Sequence, residues 1–564
     1  MQEVEWQFDA LDLRPVIRWL EARRPFSGPA GPETDRVSIP PGGLSAAQPM
    51  IAFTPLEPRD IVDTYLDTPD WRFHRAGLAA RLRNTNGAFE GSLKTLEAPV
   101  DALRKRTEIQ TPLPSGEVQA LMEADSRAGS WVRALAGSLP PVPLFSLHST
   151  RRPYAILLDG QPAGEVVLDE TAVDQPSERE PTRLRRVEVE VPPDVVDRVR
   201  PFVDDLRRAC RLTPAMSSKF ELGLLTLDLT PAGLPDLGPI SVPPGPSMGE
   251  LAYAVVRRAF LAFLRCEPGA RLGEDIEALH DMRVAARRMR AALALFEPAL
   301  PLRARTLREE LRWIASRLGE VRDLDIQLSW IASWSQGATA DDLASLGLLS
   351  SALEKRRELA RRRMLRALDS RRYAQLVTRL TRTLRSGPPR KSRPSRIAAL
   401  AAFPGLIEQR FGRVVKAGRD LQADSPPEAF HRLRIRCKRL RYAVENARDL
   451  YGGPAADYIE VLVRLQDLLG EHQDAFVAIS RLLELLQSGA RQLPPRVVFM
   501  MGRVSQRYEQ QAVKLRKRFP KVYLPVQGKA WTRLQRAMLD GQRAEGSAVW
   551  PPAVPSHPLP PQES

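Results

Sequence analysis

Apolar and polar residues alternate with period two up to about residue 230, and apolar residues recur every three or four from about residue 248 onward. The first period marks half-buried strands and the second amphipathic helices. Glu3-Val-Glu-Trp-Gln-Phe8 opens the chain with strict alternation, and a short helix is expected over 14–23. Further alternating segments fall at 63–67, 78–83, 91–94, 104–109, 154–158, 165–169 and 187–191. That many short strands predict an antiparallel sheet or barrel. Residues 27–50, rich in Pro, Gly and Ser, predict a loop or insertion. The expected organisation is a strand-rich domain over 1–230, a Pro/Gly linker over 231–247 and a helical domain over 248–530. A Pro-rich break at 386–394 divides the helical domain into halves of about 248–385 and 397–530. An extension over 531–564 follows, expected to be disordered from 550.

The helical part repeats itself. His280-Asp-Met-Arg283-Val-Ala-Ala-Arg287-Arg288-Met-Arg290 returns as His431-Arg-Leu-Arg434-Ile-Arg-Cys-Lys438-Arg439-Leu-Arg441. Leu318-Gly-Glu320 follows His280 at the same spacing as Leu469-Gly-Glu471 follows His431. Two segments in register at one offset imply an internal duplication. On a helix, His280, Arg283, Arg287 and Arg290 fall at about 0°, 300°, 340° and 280°, beside an apolar stripe carrying Met282, Ala286, Met289 and Leu293. A solvated charged face is the ordinary fate of helical arginines. Here no acidic residue within the ridge balances them, and the ridge occurs twice, which points to an anion.

Charge sharpens this picture. Residues 1–240 hold 28 Lys/Arg against 35 Asp/Glu, a net of −7, whereas 241–564 hold 56 against 33, a net of +23. The basicity therefore belongs to the repeated helices, as expected of a polyanion binder. Three cysteines without C-x-x-C spacing fit a reducing compartment and no structural zinc. No apolar run approaches the ~20 residues of a membrane span, and the acidic start does not look like a signal peptide. A cytoplasmic protein is expected.

In a strand, residues two apart share a face. Glu3, Glu5 and Gln7 share one, as do Arg81 with Arg83, Arg104 with Arg106, and Glu188 with Glu190. Closed into a barrel, these strands would turn carboxylates and cations into a lumen and apolar faces outward. Carboxylates hold Mg²⁺ or Mn²⁺, and Arg and Lys neutralise phosphoryl oxygens. An ordinary sheet with a mixed-charge solvent face explains the same alternation and, by pattern alone, is the simpler reading.

Glu3-x-Glu5-x-Gln7, Tyr65-Leu-Asp-Thr-Pro-Asp70, Gly77-Leu-Ala-Ala-Arg81-Leu-Arg83, Ser92-Leu-Lys94-Thr and Ser218-Lys219-Phe-Glu together resemble the CYTH family of triphosphate tunnel metalloenzymes, over roughly 1–230. The resemblance implies an eight-stranded antiparallel tunnel that acts on triphosphates with Mg²⁺ or Mn²⁺. It implies metal carboxylates at Glu3, Glu5, Glu188 and Glu190. Catalytic and phosphate contacts are implied at Glu3, Glu5, Arg81, Arg83, Lys94, Arg106 and Lys219, with Gln7, Glu108, Arg152 and Asp169 as further tunnel members. The family signature is Glu-x-Glu-x-Lys, and Gln7 stands at the lysine position.

The duplicated histidine motifs with their Leu-Gly-Glu segments resemble the CHAD domain, named for conserved histidines in an α-helical domain, over about 248–530. The resemblance implies an all-α domain of two pseudo-symmetric four-helix bundles that binds inorganic polyphosphate and associates with polyphosphate granules. The polyphosphate-binding set expected is His280, Arg283, Arg287, Arg288, Arg290, His431, Arg434, Lys438, Arg439 and Arg441, with His472 beside them. The ridges carry few aromatics on which bases could stack, which disfavours nucleic acid. The combined expectation is an α+β multidomain protein whose tunnel hydrolyses inorganic triphosphate or a related polyphosphate. The alternative is a non-catalytic granule protein with a degenerate tunnel.

Overall fold

The computed structural model describes residues 2–24, 51–174, 182–335, 339–489 and 495–546. The loop expected at 27–50 and the tail expected from 550 lie outside them. The chain divides into two compact units, Met1–Gly233 and Leu234–Ser564.

The first unit is a closed antiparallel barrel. Its strands are β1 (Gln2–Asp9), β2 (Ile51–Pro55), β3 (Arg59–Asp67), β4 (Leu78–Thr85), β5 (Ala88–Thr95), β6 (Leu103–Leu113), β7 (Val142–Leu158), β8 (Gln161–Val173), β9 (Arg183–Val191) and β10 (Thr213–Pro214). Eight of them run in the order β1-β6-β5-β4-β3-β7-β8-β9, and β9 pairs back onto β1 to close the barrel. Helices α1 (Arg14–Glu21), α2 (Arg72–Arg75), α3 (Val118–Glu123), α4 (Arg127–Ala136), α5 (Val196–Ala209) and α6 (Lys219–Thr226) accompany it.

The alternation has a direct physical consequence. Val4, Trp6 and Phe8 of β1 and Val187, Val189 and Val191 of β9 join one apolar cluster with Val16 and Leu20 of α1 and Val199, Phe202, Val203 and Leu206 of α5. The apolar core thus lies outside the barrel wall, and the intervening polar residues have only the lumen to face.

The second unit is helical: α7 (Met248–Leu272), α8 (Ile276–Leu295), α9 (Ala304–Trp334), α10 (Ala340–Leu368), α11 (Arg371–Arg385), α12 (Arg393–Arg396), α13 (Ala399–Arg419), α14 (Pro427–Asn446), α15 (Arg448–Gly489), α16 (Pro495–Tyr523) and α17 (Lys529–Glu545). The duplication is literal at its start, since α13 and α14 begin at Ala399 and Pro427 in the same register as α7 and α8 at Met248 and Ile276. In each half four consecutive helices pack in sequence, α7 to α10 and α13 to α16. A further helix joins each half: α11 packs on α7 and α9, and α17 on α13 and α15.

Each bundle of four is therefore extended by a fifth helix, and a domain boundary at 530 would cut through one that belongs to the core. Trp531, Leu534 and Met538 of α17 are buried, and Trp531 stacks on Phe411 with ring centroids 3.6 Å apart. Their i, i+3, i+7 spacing is an amphipathic helix seam. Among the described residues no helix is long and apolar enough to cross a membrane.

Candidate functional site

The lumen of the barrel is a cavity of about 120 Å³ whose lining includes Glu5, Gln7, Arg81, Arg83, Lys94, Arg106, Glu108, Arg151, Glu188, Glu190 and Lys219. Strand register brings them together. Glu5 lies opposite Glu190 and Gln7 opposite Glu188 across β1 and β9, and Lys94 lies opposite Glu108 across β5 and β6. Lys219 arrives from outside the sheet, at the first turn of α6, where Ser218 caps the helix in a reciprocal box with Glu221.

Most lumen charges are paired. Arg81 contacts Glu108 at 3.0 Å and Asp63 at 3.4 Å, and Arg83 holds Asp63 at 2.8 Å. Lys94 reaches Glu108 at 2.9 Å, and Arg106 reaches Glu5 at 3.4 Å. Arg151 bridges Asp169 and Glu188, both at 2.8 Å. Lys219 bridges the same two carboxylates, at 3.1 Å to Glu188 and in close contact with Asp169. Burial alone would push these carboxyls up in pKa. At Glu108 the nearby Lys94 and Arg81 outweigh it and hold the group down to about 2. At Glu188 burial is outweighed by Lys219, Arg151 and Arg186, and at Asp63 by Arg81 and Arg83, so both stay ionised well below the usual carboxylate range.

Gln7 sits among these groups as a neutral bridge. Its Nε2–H donates to Glu5 Oε1 at 2.9 Å and to Glu188 Oε1 at 3.3 Å. Its Oε1 is buried without a hydrogen-bond partner among the described residues.

An acceptor left empty beside carboxylates suits a cation. The donor set of Glu5, Glu188 and Glu190, all oxygen, fits a hard divalent ion. Glu165 lies opposite Glu190 in the β8–β9 register, on the same face of the sheet. As positioned, no three such groups among the described residues converge on one point, so phosphate oxygens and water would have to complete the shell. Glu3 lies on β1 opposite Arg106, and its side chain is outside the described residues.

Two placements differ from the sequence expectation. Arg152 is exposed on the outer face, and Arg151 lines the lumen instead. Tyr154, Ile156 and Leu158 of the same strand belong to the outer apolar cluster, so parity sends 152 outward and 151 inward. Asp63 and Tyr65 are absent from the expected set of site residues. They alternate with Ile61 on one buried face of β3, a period-two signal present in the sequence.

In the second unit the two ridges meet, because α8 packs on α14. Arg287 Nε–H donates to Tyr442 Oη at 2.7 Å, and Arg288 lies 3.9 Å from Glu445. Lys438 sits amid this junction. Burial, then Arg287, Arg434, Arg441 and Arg283, push its ammonium down to about 7. Arg283 is steered by the Leu-Gly-Glu segment: its Nη1 lies 2.3 Å from where a β-carbon on Gly319 would be, and it reaches Asp323 at 3.4 Å. Glycine there makes room for the guanidinium to lie across α9.

Several motif residues leave the ridge. Arg290 feels the charges of Arg308 and Arg312 on α9, and Arg439 acts on Arg410 of α13. His431 Nδ1 pairs with Gln473 Oε1 at 2.7 Å. His280 is lowered by burial and by Arg322. His472 is 1% exposed, packed between Phe430 and Phe476, and accepts a hydrogen bond from Arg516 Nε at 3.0 Å. It is a core position, like the buried Val321 at the same place in the first copy, and not part of the anion-facing set.

Residues 48–221 match the family model of the CYTH domain, and residues 254–483 match that of the CHAD domain. No curated protein matches the chain. Among solved structures, the CHAD domain from the plant Ricinus communis is 26% identical over 51% of this chain and 96% of its own, with a TM-score of 0.43. PptA from Streptomyces chartreusis is 21% identical over 50% of this chain and 99% of its own, TM-score 0.41. A Hippeastrum protein described as a putative adenylyl cyclase with a dominant triphosphatase activity is 13% identical over 40% and 96%, TM-score 0.27.

Proposed function

Because the chain carries a CYTH domain followed by a CHAD domain, we propose that its barrel is a metal-dependent phosphohydrolase of inorganic triphosphate or a related short polyphosphate, and that its helical unit binds long-chain inorganic polyphosphate. The observation that carries the first part is the lumen itself, where Arg81, Lys94, Arg106, Arg151 and Lys219 face one small cavity together with Glu5, Glu188 and Glu190.

Six cations line this small space, Arg83 included, and suit a three-phosphate chain better than a single phosphate. Guanidiniums fork onto phosphoryl oxygens, and donors fixed before substrate arrives stabilise charge developing on the leaving phosphate. Glu5, Glu188 and Glu190 would hold Mg²⁺ or Mn²⁺. A bound ion supplies positive charge against the phosphates and activates water. Gln7 orients Glu5 and Glu188 through its amide and offers Oε1 as a further oxygen.

A tunnel that holds phosphate without cleaving it is the second reading, favoured by one observation. Arg151 and Lys219 are both engaged by Asp169 and Glu188, and Gln7 supplies no charge to release them.

For the helical unit, the junction of Arg283, Arg287, Arg434, Lys438 and Arg441 supports polyphosphate, a polymer of negative charge without bases. Attachment to polyphosphate granules in the cytoplasm follows from that binding. Phosphorus NMR of tripolyphosphate incubated with the full chain and Mg²⁺ or Mn²⁺ tests the activity, since hydrolysis yields paired orthophosphate and pyrophosphate signals.

A further inference from the structure

On α13, Arg410 is half-buried, and its Nη1 is buried without a hydrogen-bond partner among the described residues. The charged groups acting on it are Arg413, one turn along the same helix, and Arg439 of α14. No hydrogen bond or ion pair links any of the three to a carboxylate among the described residues. Arg413 and Arg439 are exposed, and Arg410 is the more deeply set of the three. Three guanidiniums brought together, one partly desolvated, repel one another and lose hydration. Burial and the two neighbours accordingly hold Arg410 down to about 10.

The arrangement is not part of the repeated ridge. On α14, Arg439 stands about 100° around the helix from Lys438, and it belongs to the α13–α14 seam. The duplication offset places Ala259 and Ala262 where the second copy has Arg410 and Arg413. The first half therefore has no counterpart.

We propose that Arg410, Arg413 and Arg439 form a separate oxyanion site, confined to the second half of the helical unit, that takes one phosphoryl group. An oxyanion there would satisfy the empty Nη1 donor and relieve the repulsion. The exposed pair would contact it from the solvent side, and Arg410 would bind it from beneath. A single phosphoryl group is what free orthophosphate and an end or bend of a polyphosphate chain have in common. The site rests on the anion-binding reading of the helical unit only in its chemistry, because none of its partners is at the α8–α14 junction except through α14 itself.

The test is site-resolved arginine labelling of the full chain with phenylglyoxal, read by peptide mass spectrometry. Orthophosphate and long-chain polyphosphate are the two probes. Labelling of Arg413 and Arg439 should fall about tenfold when a probe is present at roughly ten times its dissociation constant. Protection by orthophosphate identifies a free-phosphate site, and protection by polyphosphate alone identifies a chain anchor. Protection by neither overturns the proposal.

In an Arg283→Glu/Arg434→Glu variant, which disrupts the junction, orthophosphate protection at Arg413 and Arg439 should persist. Its loss there would show one continuous site and overturn the proposed separation. Arg410→Met keeps the length and apolar stem of the side chain. It should abolish protection while raising the thermal midpoint of the anion-free protein, because an unpaired buried cation has gone. Unchanged protection in Arg410→Met would also overturn the proposal.

Discussion

Arg287 of the first motif copy donates its Nε–H to Tyr442 of the second at 2.7 Å, so the two ridges form one cationic junction across the duplication. Tyr442 has no counterpart in the first copy, where Ala291 stands at the equivalent position. The junction is therefore asymmetric in detail although the helices that build it are repeats.

Lys438 is the titrating member of that junction. Burial and then Arg287, Arg434, Arg441 and Arg283 hold it down to about 7, against ~10.4 for a free lysine. Between those values the unfolded chain keeps a proton that the folded chain has lost, so stability rises with pH from about 7 to about 10. A polyphosphate chain bound in the junction would restore the proton. Calorimetry at pH 8 in buffers of different ionisation enthalpy should show uptake of about one proton on binding. Lys438→Met should abolish that uptake.

Gln7 offers a gain rather than a loss. Lysine in its place would meet Glu5 and Glu188, which the amide already bridges, and would bring one more charge to the substrate. A charge-assisted contact contributes ~1.5–3 kcal/mol, or roughly one to two decades in kcat/KM. Steady-state hydrolysis of tripolyphosphate by Gln7→Lys should rise accordingly. No change would mean that this position does not limit the native tunnel.

Acid should open the barrel from within. Glu108 is held down to about 2, where Lys94 and Arg81 outweigh the opposing effect of burial. A carboxyl depressed in the fold contributes stability above its unfolded value of ~4.3, and that contribution is lost as pH falls toward about 2. Denaturant midpoints of the barrel unit should drop between about pH 5 and pH 2. Glu108→Gln should flatten that part of the curve and lower the plateau at neutral pH.

Much of this is legible in the chain. Period-two alternation at Val4-Glu5-Trp6-Gln7-Phe8 and Val187-Glu188-Val189-Glu190 places charges on one face, and closure turns that face inward. Alternation alone does not report closure, which depends on β9 pairing with β1 from the far end of the barrel sequence. The lumen arginine of β7 reads one position late because the Arg151-Arg152 doublet hides parity, although Tyr154, Ile156 and Leu158 fix it. The ridges are visible as repeats. Which of their arginines face the junction is not, since Arg290 and Arg439 have their nearest charged neighbours on α9 and α13, elements the repeat does not report. His472 reads as functional beside Leu-Gly-Glu, yet its surroundings are set by Phe430 and Phe476.

His472 accordingly separates folding from binding. Burial, then Arg516, push it down to about 4, so it stays neutral and accepts the Arg516 hydrogen bond at physiological pH. His472→Leu should keep the packing against the two phenylalanines but strand Arg516 Nε, costing ~1–3 kcal/mol in denaturant unfolding. Polyphosphate affinity should stay the same, and a matching loss of affinity would return His472 to the anion-binding set.

The most direct test of a hydrolytic tunnel is orthophosphate release from tripolyphosphate by the full chain with Mg²⁺ or Mn²⁺, beside a Glu5→Gln/Glu188→Gln variant. Steady turnover by the native protein is expected, with a fall of about two decades or more in the variant, which keeps the shape of both side chains but removes their charge. Native protein that binds tripolyphosphate yet releases no more phosphate than the variant would contradict it and leave a tunnel that holds its ligand without cleaving it.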